Sequence, residues 1–182
     1  VEEELLNGQK IYIARFVRDN KCAKLMLKDK SKVEELKSAL APHVVQTNFT
    51  HAYEAKKVIG KGAFATVYLC INRKSGVKFA VKRLSKNKSM NSNDGRELIM
   101  NEIEISASLN DEHLMKMIEV FESTSSVYIV YELMEGGDLI TYLKKQEFIS
   151  HQDIYIIIRS LLKGLLFMQM NGILHRDIKP HN

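Results

Sequence analysis

The sequence predicts an α+β fold in which strands and helices are segregated along the chain. Two observations carry this. Between Tyr53 and Glu132, short runs rich in β-branched and aromatic residues are separated by turn residues. Over 151–170, apolar residues recur at 154, 157, 158, 161, 162, 165 and 168, the period of an amphipathic helix. Strand runs followed by helix runs give a sheet-rich part and a helix-rich part.

The first elements lie before this pattern. Residues 10–17 (KIYIARFV) and 23–28 (AKLMLK) read as strands around the turn-like DNK. SKVEELKSALAPHV then reads as a helix, with Ser31 as N-cap, Glu34 completing a capping box and Pro42 marking the end. Residues 43–52 read as a linker. From Tyr53, strands are expected at 53–60, 64–72 and 77–84, joined by KG and KSG turns. A polar loop over 85–94 leads to a helix near 95–109, and further strands follow at 117–123 and 126–132. After Gly136-Gly137 the pattern turns helical.

Composition narrows the function classes. The net charge of +5 divides as 9 basic and 7 acidic residues over 1–52, leaving 18 and 15 for the rest. No basic block is interleaved with aromatics, so a solvated mixed-charge surface is expected and no nucleic-acid partner. Cys22 and Cys70 match no metal or disulfide spacing, which points to a reducing, cytoplasmic setting. The richest apolar run, 154–168, is broken by Arg159 and Lys163 and is too short to span a bilayer. Val1 is not an initiator Met, and the chain is expected to be cut from a longer protein.

Four stretches have residues suited to chemistry. GKGAFATVY (60–68) lies between two strands, and its glycines would let backbone amides approach phosphate oxygens. Gly-x-Gly between strands is more often a plain hairpin turn. A dinucleotide fingerprint also fails here, because a strand follows and Ala65 stands at the third glycine. In VKFAVKRL (77–84), alternation puts Lys78, Ala80, Lys82 and Leu84 on one face, with Phe79 and Val81 on the other. An exposed lysine on a half-buried strand is the competing reading of Lys82.

In the helix near 95–109, Leu98, Glu102, Ile105 and Leu109 fall on one face, which puts Glu102 inside an apolar stripe. A buried carboxylate costs several kcal/mol unless paired, and Lys82 is the natural cation. The alternative sets Glu102 at the edge of the stripe, reaching water. Finally, HRDIKPHN (175–182) gathers Asp177, Lys179 and Asn182 within six residues. A carboxylate can orient a hydroxyl and accept its proton, a lysine can neutralise a phosphoryl group, and an amide oxygen suits Mg²⁺.

Together these motifs, in this order from Tyr53 to Asn182, resemble the eukaryotic protein kinase family of serine/threonine type. The resemblance implies a five-stranded antiparallel N-lobe with one helix (53–134) and the first helices of an incomplete helical C-lobe (135–182). It implies that ATP lies under Gly60, Lys61, Gly62, Ala63, Phe64, Ala65 and Val67. Lys82 would hold the α- and β-phosphates and pair with Glu102, and Ala80 and Val67 would contact adenine. Tyr131 would be the gatekeeper, backbone groups of Glu132 and Met134 would bond the adenine, and Asp138 would contact ribose or a basic substrate residue. Asp177 would be the catalytic base, Lys179 a phosphate-contacting lysine and Asn182 a Mg²⁺ ligand. A lysine two positions after Asp177 is typical of kinases that act on protein Ser/Thr hydroxyls.

NEIEISASLNDEHLMKMIEVFE and the GGDL segment look most like the calcium/calmodulin-dependent group. The family's Asp-Phe-Gly is expected beyond Asn182, so these 182 residues by themselves are expected to be inactive. Ser106 stands where the family usually has an aliphatic residue, and Ser106→Leu is expected to stabilise the active helix position. Residues 1–45 resemble the end of a pleckstrin homology domain, with a membrane phosphoinositide as the implied partner and 46–52 as linker. An ordinary N-terminal extension is the competing reading. Rivals to catalysis are a non-catalytic kinase-like scaffold and a phosphoinositide-recruited adaptor.

Overall fold

The computed structural model describes residues 2–6, 9–18, 21–41, 44–62, 65–86 and 93–181. The chain divides into two compact units, Val1–Pro42 and His43–Asn182.

In the first unit, β1 (Glu2–Leu6), β2 (Gln9–Arg18) and β3 (Lys21–Leu27) form an antiparallel sheet in that order, followed by α1 (Lys30–Leu40). β1 had no strand signal, because three consecutive glutamates are poor strand formers. Pairing supplies what propensity lacks: Glu3 lies opposite Tyr12, and Lys10, diagonal to it, makes a 2.6 Å ion pair with Glu3. Ile11, Ile13 and Ala14 of β2 are buried, as is Val33 of α1. The N-cap of α1 is Asp29 and not Ser31. Its carboxylate accepts 2.8 Å bonds from both the Ser31 amide and hydroxyl, which hold its pKa below the usual range. The Asp29 carboxylate, two residues earlier, reaches the Ser31 amide in the first helical turn and occupies the Ser31 hydroxyl as well. Pro42 lies outside the described residues.

The second unit is built on a sheet of order β4-β8-β9-β7-β6-β5. Its strands are β4 (Val45–Gln46), β5 (Tyr53–Lys61), β6 (Ala65–Asn72), β7 (Lys78–Ser85), β8 (Met117–Glu122) and β9 (Ser126–Glu132). The helices are α2 (Phe49–Ala52), α3 (Asn93–Ser108), α4 (Leu139–Lys144) and α5 (His151–Met170). The five strands from β5 onward are antiparallel, as expected, but β4 adds a sixth, parallel to β8.

The segment expected as a linker is therefore part of the fold. Gln46 Nε2 donates to Glu119 Oε2 at 2.5 Å, and the Tyr53 hydroxyl donates to the other oxygen of Glu119. The Phe49 ring stacks on Tyr128 and meets Tyr53 and Phe121. Phe49 thus covers one face of the sheet, with Tyr53, Cys70, Val81, Phe121 and Val130 beneath. The other face packs Leu84, Met117, Val127, Ile129 and Tyr131 against Ile99 and Ile103 of α3. Strand alternation produces both faces, since successive side chains of β7 and β9 point opposite ways.

α5 starts at a reciprocal cap: Ser150 Oγ accepts from the Asp153 amide at 3.0 Å, while the Ser150 amide donates to Asp153 at 3.3 Å. It ends where Gly172 takes a positive φ of 71°. Gly164 and Met168 are its buried residues, while Ile158, Leu162 and Leu166 are exposed and line a shallow groove with Tyr155. Among the described residues no helix is long and apolar enough to cross a membrane.

Candidate active site

The site starts from β7. Its alternation places Lys82 on the α3 side, next to Val67 of β6 and Ile129 of β9 in register. Glu102 of α3 meets it: Nζ and Oε1 are 2.5 Å apart. Both side chains keep 31% of their surface exposed. The pair is half-buried, dry enough for the charges to hold each other and open enough for a ligand to reach the ammonium.

The α3 face differs from the sequence reading. Leu98 is 68% exposed and Ile105 40%, whereas Ile99 and Ile103 are buried. The apolar stripe is therefore the neighbouring one, displaced by one residue or about 100° of helix rotation. Glu102 sits at its edge, and it is the lysine, not enclosure, that fixes the carboxylate there.

Near Lys82, Gly60 lies in the last residues of β5, and Gly62, whose amide donates to the Ala65 carbonyl at 2.8 Å, opens the β5–β6 turn. A Cβ on Gly60 would stand 3.5 Å from Cβ of Val67, an ordinary contact distance. Lys61 is exposed, and Ala65 packs beside the core. Ala63 and Phe64 lie outside the described residues.

Across the sheet, Ala80 is in register with Tyr131, which is 7% exposed. Ser106 of α3 reaches Tyr131, oxygen to oxygen, at 3.3 Å. The hydroxyl that stands where the family usually has an aliphatic residue thus has a partner. Burial pushes the Tyr131 phenol up to about 12, its bond with Ser106 draws it back, and Glu102 raises it by charge and as an acceptor.

After Tyr131, Glu132 is held twice by Lys116. Its amide donates to the Lys116 carbonyl at 3.1 Å, and its carboxylate accepts from the Lys116 amide at 2.6 Å. The second bond involves a side chain to which the sequence reading assigned nothing. The Met134 carbonyl accepts from Gly137 at 3.1 Å, and the side chain of Met134 is exposed. Asp138 caps α4, accepting from the Thr141 amide at 2.6 Å. That bond lowers its pKa first, with His181 and Lys144 contributing by charge.

The segment after α5 returns to α4, where the Ile140 amide donates to the Pro180 carbonyl at 3.1 Å. The Asp177 carboxylate accepts from Lys179 Nζ at 2.7 Å, and the Asp177 amide donates to His175 Nδ1 at 3.2 Å. Arg176 holds a left-handed φ of 65°, unusual for a side-chain-bearing residue. Asn182 lies outside the described residues. The structure thus brings together Lys82 with Glu102, Tyr131 with Ser106, and Asp177 with Lys179. It also sets Asp138 beside the segment that carries Asp177. The α5 groove contains none of these residues.

A cation held by an acid beside a glycine turn, together with a carboxylate–lysine pair in an extended loop, can bind a polyphosphate and accept a proton. The family comparison reaches the same place. The protein kinase domain model matches residues 53–182. The chain is 34% identical over 134 residues to the probable serine/threonine-protein kinase fhkE of Dictyostelium discoideum, covering 73% of this chain and 19% of that protein. It is 35% identical over 143 residues to the serine/threonine-protein kinase cds1 of Schizosaccharomyces pombe, covering 77% and 31%. It is 32% identical over 136 residues to calcium/calmodulin-dependent protein kinase type II of Caenorhabditis elegans, covering 75% and 19%. The chain spans less than a third of the length of these three relatives. This chain belongs to the protein kinase family.

Proposed function

We propose that the chain supplies the nucleotide-binding lobe and the start of the helical lobe of a serine/threonine protein kinase. In the whole protein, a substrate Ser or Thr hydroxyl oxygen bonds to the γ-phosphorus of ATP as the bond to the bridging oxygen breaks. ADP leaves with that bond's electrons, and the hydroxyl proton passes to Asp177. The observation that carries this reading is the 2.5 Å pair of Lys82 and Glu102.

The residues present fit such a substrate. Glu102 holds the Lys82 ammonium where it would meet the α- and β-phosphates, with the Gly60–Gly62 segment as their candidate cover. Ala80 and Val67 offer small apolar surfaces to a flat base, and Tyr131 closes the space behind it. Glu132, held by Lys116, and Met134 present the backbone that would pair with the base, with Asp138 beyond them for ribose or a basic substrate residue. Lys179 stands beside Asp177, near where phosphoryl charge develops. Mg²⁺, when bound, neutralises charge on the phosphates, with Asn182 as its candidate ligand in this chain. Relatives named as calcium/calmodulin-dependent and calcium-dependent kinases support a place in that group.

For residues 1–45, the three-stranded antiparallel sheet followed by α1 supports the reading as the end of a pleckstrin homology-like domain. A membrane phosphoinositide is then its partner, and sedimentation with phosphoinositide vesicles tests this. The free thiols Cys22 and Cys70 accord with a cytoplasmic protein.

The catalytic reading is tested in the full-length protein with Asp177→Asn. Transfer from ATP to a Ser/Thr peptide should fall about 10²–10⁴-fold, with nucleotide affinity retained. Undiminished transfer would overturn the role of Asp177, and a wild-type protein that transfers nothing would overturn catalysis and favour a scaffold.

A further inference from the structure

Ser106 lies one helical turn after Glu102, so both point toward the same face of the sheet. There Ser106 meets a buried phenol: Tyr131 Oη is 3.3 Å from Ser106 Oγ, and either hydroxyl can donate. Glu102, one turn earlier on the helix, holds the Lys82 ammonium at 2.5 Å.

We infer that Tyr131 and Ser106 are positioning residues that hold α3 at the rotation where Glu102 meets Lys82. This rests on the phosphotransfer function proposed above. The plain alternative is a buried phenol that merely found a partner. Two features argue for more. β9 is an interior strand, hydrogen-bonded to β8 and β7, so the sheet fixes the phenol and leaves the helix as the movable party. The other packing of α3 on the core comes from Ile99, Ile103 and Ala107, and apolar packing is non-directional. A helix serine could also have turned back onto its own backbone, yet this one reaches across to the sheet.

The test is a double-mutant cycle of Tyr131→Phe and Ser106→Ala in the full-length protein, reading kcat, KM and melting temperature. Each single change should lower kcat/KM about three- to tenfold, as for loss of one neutral hydrogen bond, with the peptide KM unmoved. Ser106→Ala should add nothing in the Tyr131→Phe background. Ser106→Thr, which keeps the hydroxyl, should retain activity, whereas Ser106→Leu should lose it, opposite in sign to the expectation from sequence. Effects that multiply in the double variant would overturn the inference. So would single variants that lose melting temperature but keep wild-type kcat/KM. A wild-type protein without transfer defeats the proposed function first, and this inference with it.

Discussion

The ring of Phe49 lies parallel to that of Tyr128, 4.2 Å between centroids and 4° between planes. The two residues are far apart in sequence, and Phe49 belongs to a four-residue helix with no strong signal of its own. That contact, with Tyr53 and Phe121 alongside, turns a connecting segment into a cover for the sheet.

Phe49→Ala should therefore destabilise the kinase-family unit by about 3 kcal/mol, the low end for a buried Phe→Ala change, because its ring edge reaches the surface. Phe49→Leu should cost less than half of that, since it keeps most of the apolar volume. Denaturant midpoints of the two variants at unchanged m-value check the ordering.

A close approach elsewhere sets a second expectation. A Cβ on Gly164 of α5 would stand 3.2 Å from the His113 carbonyl oxygen and 3.3 Å from Leu114 Cδ2. Helix propensity alone favours Gly164→Ala by about 1 kcal/mol. The backbone carbonyl has little freedom to retreat, so that gain should be absent. Gly164→Val should lose about 1–3 kcal/mol through overpacking. Thermal melts of the pair measure both.

Alkaline pH should unfold the protein through its buried weak acids. Burial raises the Cys70 thiol from 9.0 to about 11, and burial and Glu119 push the Tyr53 phenol still further above its ordinary value. Above pH 9 the unfolded chain releases these protons while the folded one keeps them. The unfolded state then binds fewer protons, and stability falls as pH rises. Cys70→Ala should flatten the first part of that fall, from about pH 9 to 11, in melts taken across the range.

Much of this was legible in the residues themselves. β7 read correctly because alternation is a two-residue rule, and Lys82 beside Ala80 follows from it. α5 read correctly because its apolar period is a local signal. The pairing of Lys82 with Glu102 was read from the cost of an unpaired carboxylate inside an apolar stripe; the pair forms, although Glu102 lies at the edge of the stripe that packs. Which stripe was not legible: Leu98–Ile105 and Ile99–Ile103 are both apolar at helical spacing, and only the sheet beneath α3 chooses between them.

By itself, then, the sequence determined the elements whose signals repeat within a few residues and the polar groups that had to find partners. The tertiary structure alone decided that Val45 and Gln46 join the sheet and Phe49 covers it, that α3 turns Ile99 and Ile103 inward, and that Ser106 meets Tyr131. In each case the deciding energy comes from residues distant along the chain, where burial and a shared hydrogen bond outweigh local preference. Periodicity has no means of registering such a partner.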